Sequence, residues 1–189
     1  MGAGDRRAVR AGVPPVRPVA LAPLSTEHIA DVEALTTDPD VLRFTRVPDP
    51  PPPRFVQTWL AGYENGREEG TSAAFAIVDE HDGGFLGIAV APEIDRASRT
   101  AELGYVVAPA ARGRGVASEA LRLMTAWAFA ELGMERLELL ISVGNEASKR
   151  VAARCGYVRE GVLRSHYVKG ELREDTELWS LLPSDATLS

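Results

Sequence analysis

The sequence predicts a mixed α/β domain, one twisted sheet with helices on both of its faces. Three observations carry that prediction. Apolar residues alternate with period two over several short segments, the pattern of strands. They recur at helical spacing over longer ones. The two patterns follow one another in the order β-α-α-β-β-β-α-β-α-β-β, with no internal repeat and no composition break that would divide the chain.

Residues 1–16 contain Arg, Gly and Pro and are expected to form a flexible N-terminal segment. Residues 17–182 are read as the domain, and residues 183–189 as a tail. Residues 18–24 alternate as a first strand. Ser25-Thr26 precedes Glu27 and a periodic run of Ile29, Val32 and Leu35, which reads as a capped helix ended by Asp38-Pro39. Residues 48–53 hold Pro48, Pro50, Pro51, Pro52 and Pro53, so this stretch is neither helix nor central strand. A second helix follows over 55–68, with Trp59 and Tyr63 on one face. Residues 73–78 and 85–91, joined by the turn His81-Asp82-Gly83-Gly84, read as a hairpin. After a turn at 95–99 comes a strand over 101–108. Residues 116–132 form an amphipathic helix with Val116, Ala120, Leu123 and Trp127 on one stripe and Ala117, Leu121, Met124 and Ala128 beside it. Leu137, Leu139, Ile141 and Val143 alternate as the next strand. A short helix over 145–155 closes at Gly156, and residues 157–182 read as two or three further strands.

Composition narrows the function. A chain of 189 residues is long enough for one domain with a sizeable core, and 45% hydrophobic with 25% charged residues is ordinary for a soluble globular protein. No apolar run approaches the ~20 residues of a membrane span, and the first eighteen residues lack the apolar core of a signal peptide. Cys155 is the only cysteine, which leaves no internal disulfide and fits a reducing cytoplasm. A net charge of -6 argues against nucleic acid as a partner, while an acidic surface suits an amine-bearing one.

The most informative stretch is Arg112-Gly113-Arg114-Gly115-Val116-Ala117, lying between an apolar strand and an amphipathic helix. A Gly-rich turn at the start of a helix leaves backbone N–H groups unpaired and lets an anion approach them. Arg112 and Arg114 add positive charge, so the loop is expected to take the pyrophosphate of a nucleotide cofactor. A dinucleotide fingerprint would require Gly at position 118, which is Ser118.

The spacing Arg-x-x-Gly-x-Ala resembles the acetyl-coenzyme A loop of the GNAT N-acetyltransferase superfamily. The order of elements over residues 17–182 is similar to the GNAT fold as a whole. Three segments resemble the RimJ/RimL-like branch, the ribosomal-protein N-terminal acetyltransferases: Ala101-Glu102-Leu103-Gly104-Tyr105, then Asn145-Glu146-Ala147-Ser148-Lys149-Arg150-Val151, then Cys155-Gly156-Tyr157 with Glu160-Gly161. The resemblance implies a mostly antiparallel sheet of about seven strands, splayed between the fourth and fifth. It implies acetyl-CoA as cosubstrate, pyrophosphate on the amides of Gly113, Arg114, Gly115, Val116 and Ala117, and pantetheine along Val106, Val107 and Ala108.

Amide formation from a thioester needs a held donor, a polarised carbonyl, a neutral amine and a route for the leaving thiolate. A strand N–H can polarise the carbonyl. Glu102 shares a strand face with Gly104 and Val106 by parity, and two readings stand for it: a general base whose pKa is raised in a cleft, or a solvated carboxylate paired with an Arg. Asn145 is a good helix N-cap with Ser148 three residues on. The resemblance implies that both also touch the cofactor and makes Ser148 the candidate to protonate the thiolate, with water as the alternative, since the tyrosine used by other GNAT branches would fall near Ala152 and is missing here. His28 and His81 are read as exposed and inert, and His166 as a surface residue near the acceptor side. No His/Cys/Asp spacing suggests a metal, and Cys155 reads as a small core residue. The expected function is direct acetyl transfer to a primary amine, a protein N-terminus or a small amine, by a monomer or homodimer. Aminoglycoside or metabolite acetylation and a non-catalytic CoA-binding module are the alternatives. Selectivity is expected from the first two helices, the proline connector and the C-terminal strands.

Overall fold

The structure, a computed structural model, describes residues 18–185. The expected N-terminal segment and the end of the expected tail lie outside the described residues. The strands are β1 (Val19–Pro23), β2 (Ala73–Asp79), β3 (Phe85–Asp95), β4 (Thr100–Val107), β5 (Arg136–Ser142), β6 (Val158–Lys169) and β7 (Leu172–Leu181). They form one seven-stranded sheet in the order β1-β2-β3-β4-β5-β7-β6. Every neighbouring pair is antiparallel except β4 and β5. The helices are α1 (Ile29–Leu35), α2 (Pro39–Phe44), α3 (Phe55–Glu69), α4 (Val116–Ala130) and α5 (Glu146–Arg154). None is long and apolar enough to cross a membrane.

The one parallel pairing is short. Thr100, Ala101 and Glu102 lie opposite Arg136, Leu137 and Glu138, and there the ladder stops. Beyond Glu102, β4 continues along β3 while β5 continues along β7. The expected splay between the fourth and fifth strands is therefore a wedge with its vertex at Glu102 and Glu138.

Strand parity distributes the side chains as the alternation requires. Leu103, Leu137, Leu139 and Ile141 point to the α4 side and pack with Leu121 and Met124 in the larger core. Val106 points to the opposite face, where Val32, Leu35, Val56 and Ile88 form a second cluster under α1 and α3. Helix α4 is fifteen residues long and buries Val116, Ala120, Leu121, Met124 and Ala128, at spacings of three and four that keep them on one face.

Two local readings change, and a third is made definite. Asp38-Pro39 ends α1 but also starts α2, a helix absent from the sequence reading. The Asp38 carboxylate caps it by accepting from the N–H groups of Asp40 (3.1 Å) and Val41 (3.0 Å), and Pro39 supplies a preset φ at the first helical position. His28 is half-buried and capping: its Nδ1 accepts from the Ser25 N–H at 3.2 Å. Residues 157–182 form two long strands, β6 and β7, whose register shifts twice, between Arg159 and Gly161 and between Leu163 and Tyr167.

Leu121 is 1% exposed between α4 and the sheet, so Leu121→Ala is expected to lower unfolding free energy by about 2–5 kcal/mol. Urea denaturation followed by circular dichroism measures it. A loss under about 1 kcal/mol would place Leu121 outside the main core.

Candidate functional site

The loop opening α4 sits at the wide end of the wedge. Gly115 is the helix N-cap, with φ +82° and no side chain to cap the helix, and Gly113 has φ +75°. Left-handed backbone at both positions is cheap only for glycine. The first bond closing α4 runs from the Glu119 N–H to the Gly115 carbonyl (3.1 Å). Among the described residues, the N–H groups from 113 to 118 have no hydrogen-bond acceptor. A Cβ built on Gly113 would meet nothing within 4 Å, so the cradle is open. A run of free donors at the positive end of a fifteen-residue helix is chemically suited to a phosphate group.

Arg112 is paired with α2 rather than left free beside the loop. Its guanidinium pairs with Asp38 (2.6 Å) and Asp40 (3.1 Å) at the start of α2, its Nε donates to the Val107 carbonyl (3.2 Å), and its own N–H is bonded to Pro109 (3.3 Å). The pairing holds the Asp38 carboxyl below the usual carboxylate range. Arg114, exposed and without an ion pair among the described residues, is the loop's free charge. The other end of α2 is tied to β6: Tyr167 Oη donates to the Thr45 carbonyl (2.6 Å) and Lys169 Nζ to the Leu42 carbonyl. Helix α2 thus bridges the loop beside β4 and the hairpin beyond β5. Nothing in its periodicity signals this, because the pairing partners are 72 to 127 residues away.

Along β4, peptide groups point alternately to the two neighbours. The Ala108 N–H is already bonded to the Leu86 carbonyl (2.8 Å), which assigns Ala108 and Val106 to the β3 side. Of the three expected pantetheine contacts, Val107 alone turns its peptide into the wedge, together with Tyr105 two residues earlier. The N–H groups of Val106 and Ala108 face β3, away from the wedge.

At the vertex, Glu102 is half-buried and faces the α1–α3 side. Burial pushes its pKa up; the Arg46 charge pulls it back, and the Glu93 and Glu138 carboxylates raise it further. Tyr63 on α3 is close enough that Glu102 adds to the burial that raises its phenol to about 12. A cavity of about 230 Å³ opens here, lined by Glu93, Asp95, Ser98, Thr100, Glu102, Glu138 and Leu140. It is acidic, although Glu138 shares Arg136 with Glu160, each carboxylate 2.6 Å from it. The bulge in β3 between Val90 and Glu93 sets the register that brings Glu93 opposite Glu102.

The other lip carries Asn145 and Ser148. Asn145 Oδ1 accepts from the Ser148 N–H at 3.0 Å, the expected N-cap of α5. Ser148 faces Tyr105 of β4 and lowers its pKa, against burial that pushes the phenol up to about 12. Glu102 and Ser148 are therefore on opposite faces of the wedge rather than side by side. His81 and His166 are exposed. Cys155 is half-buried with Sγ 3.4 Å from the Ser118 carbonyl, and burial keeps it a thiol.

Comparison with known proteins adds the family. Residues 19–158 match the acetyltransferase (GNAT) domain model. The chain is 33% identical over 102 residues to YdaF of Bacillus subtilis (strain 168), whose name refers to ribosomal N-acetyltransferase activity. That match covers 54% of this chain and 56% of YdaF, so the chain spans about half the length of that curated relative. It is 25% identical over 162 residues to the spermidine N(1)-acetyltransferase of Escherichia coli (strain K12), covering 85% of this chain and 84% of that one. Among solved structures, Mycobacterium smegmatis RimJ in complex with CoA-disulfide has a TM-score of 0.79 at 23% identity, over 93% of this chain and 87% of that one, a likeness of fold. With a domain model covering most of its length, the chain belongs to the GNAT acetyltransferase family.

Proposed function

We propose that this protein is a cytoplasmic, acetyl-CoA-dependent N-acetyltransferase that moves the acetyl group directly to a primary amine. The observation that carries the reading is the wedge itself, with free helix-terminal amides at its open end and a carboxylate of raised pKa at its vertex. The N–H groups from 113 to 117 hold the pyrophosphate of the donor, and Arg114 adds charge there. The Val107 and Tyr105 peptides, turned into the wedge, offer donors to the thioester carbonyl. One such donor aimed at a developing oxyanion lowers a barrier by about 2.7–4 kcal/mol. Glu102 takes the proton that an ammonium must lose before its nitrogen can attack. Asn145 positions Ser148 on the far lip by capping α5.

The amine is a protein N-terminus or a small amine. The ribosomal name of one relative supports the first. The acidic cavity beside Glu102 and the spermidine acetyltransferase relative support a small cationic amine.

Acetyl-CoA is expected to raise the melting temperature and NAD to leave it unchanged, because only a ligand of the folded state stabilises by mass action. Differential scanning fluorimetry with both nucleotides decides; a shift with NAD and none with acetyl-CoA overturns the assignment.

Gly115→Glu is expected to abolish CoA binding in calorimetric titration, since it sets a carboxylate against the pyrophosphate. At φ +82° any side chain adds strain of about 1–2 kcal/mol, so Gly115→Ala is the control that carries the strain without the charge. Equal affinity in the Glu variant and the Ala control would remove the loop's role.

Glu102→Gln is expected to lower turnover about 100- to 10,000-fold with little change in acetyl-CoA affinity. The base works deprotonated, so wild-type rate rises with pH through its raised pKa, and the Gln variant loses that limb. Stability moves the other way. A carboxyl with a raised folded pKa favours the fold below its unfolded value and loses that contribution as pH climbs through the folded one. At neutral pH the Gln variant should therefore be at least as stable as wild type. Retained activity with an unchanged pH profile returns Glu102 to a surface role.

A further inference from the structure

Helix α2 is six residues long and Val41 is its one buried residue, so little apolar burial holds it in place. A helix this short is unstable by itself in water. Polar ties hold it instead, and they come from both lips of the wedge. On the β4 lip the Arg112 guanidinium donates from three nitrogens at once: Nε to the Val107 carbonyl (3.2 Å), Nη2 to Asp38 (2.6 Å) and Nη1 to Asp40 (3.1 Å). On the β5 lip, α2 lies over the loop that leads into α5. A Cβ placed on Gly144 there would stand 3.7 Å from Arg43 Nη2 and 3.9 Å from Phe44 Cε1.

The third tie comes from β6, where a bulge precedes it. Leu163 stands opposite Thr176 and Tyr167 opposite Glu174, so Arg164, Ser165 and His166 share Asp175. Ser165 takes a left-handed φ of +54°, and its N–H is bonded to Asp175 Oδ1 at 2.8 Å. A bulge bends its strand and re-aims the side chains beside it. Just beyond this one, Tyr167 and Lys169 donate to the Thr45 and Leu42 carbonyls of α2. Contacts from both lips and from the hairpin make α2 a bar across the open end of the wedge.

The ties to Arg112 are unequal. The Asp40 side chain is 68% exposed, and such a pair contributes little. The Asp38 side chain is 11% exposed and its hydrogen bond is short and charge-assisted. Asp38 also caps α2, so its pairing with Arg112 decides whether the helix stays in place.

We propose that Arg112 is a positioning residue: through Asp38 it holds α2 across the wedge, where α2 bounds the passage by which the amine reaches the thioester. The inference rests on the acetyl-CoA reading above. Arg112 thus sets affinity for the amine and not for the donor, although it adjoins the donor's loop in the chain.

A double-mutant cycle is the test. Arg112→Gln removes the charge and the fork, and Asp38→Asn removes the charge while keeping a good N-cap. Spermidine and a short peptide with a free N-terminus serve as probe amines. Each single variant is expected to raise KM for the amine about 10-fold, the scale of one hydrogen bond to a charged group. The double variant is expected to raise it no further, because both changes break one contact. CoA affinity in calorimetric titration is expected to stay close to wild type in all three. Arg112→Lys, able to keep one ion pair but not the fork, is expected to recover part of the amine affinity. In hydrogen exchange, the Leu42 and Thr45 amides, bonded to the Asp38 and Val41 carbonyls, are expected to exchange faster in Arg112→Gln while the α4 amides do not change.

Effects that multiply in the double variant overturn the proposal. So does CoA affinity lost in Arg112→Gln and kept in Asp38→Asn, which would make Arg112 a donor ligand. If neither probe amine is acetylated, the exchange decides alone: α2 amides that exchange alike in wild type and Arg112→Gln overturn the role. Wild-type protein that fails to bind CoA rejects the acetyl-CoA reading, and the role of Arg112 with it.

Discussion

A strand that abandons its neighbour after three residues must leave peptide groups without a ladder, and the rest of this structure is arranged around that break between β4 and β5. On one side β4 stays bonded to β3, which keeps Ala108 and Val106 satisfied and turns Val107 and Tyr105 into the gap. Immediately beyond the strand, the chain enters α4 through two left-handed glycines that add a further run of free N–H groups. The gap and the helix terminus are thus two groups of donors on one side of the sheet, separated along the chain by Ala108, Ala111 and Arg112, whose own N–H groups are bonded. An anionic, extended ligand meets both requirements at once.

Holding such a gap open needs supports outside the sheet. The α4 core anchors β4 and β5 from below through Leu103, Leu137 and Leu139. The Thr125–Tyr157 hydroxyl pair, 2.9 Å apart, ties α4 to the chain just after α5. Across the top, α2 is fastened at both ends, to Arg112 by Asp38 and Asp40 and to β6 by Tyr167 and Lys169. Isolated surface ion pairs stabilise little. Here Asp38 also caps α2, so the same carboxylate fixes the helix and its attachment.

Electrostatics divides the two faces. The α1–α3 face gathers Glu93, Asp95, Glu102 and Glu138 around a small cavity, with Arg46 as the nearby countercharge on Glu102. The α4–α5 face offers neutral hydroxyls and a thiol, and burial raises the pKa of the Tyr105 phenol and of the Cys155 thiol. The sheet thus separates a carboxylate-rich face from one of neutral hydroxyls and a thiol.

Much of this was legible in the residues. Periods of two and 3.6 gave nearly every strand and helix, because side chains must alternate across a pleat and cluster on a helical face whatever the tertiary context. The glycine loop, the Asn145 cap and the parity of Glu102 are likewise local, fixed by backbone geometry over a few residues. The rest depended on partners far away in the chain. Arg112 reads as a free charge beside the loop until Asp38 and Asp40 are folded against it. Val106 and Ala108 read as donors until β3 takes their side. Tyr105 reads as a strand residue until burial leaves its hydroxyl without a partner among the described residues. The sequence by itself determined nearly all of the strands and helices and the glycine turn that opens α4. Only the tertiary structure decided which polar groups remain unspent, because hydrogen bonds and charges are consumed by whatever the fold brings within reach.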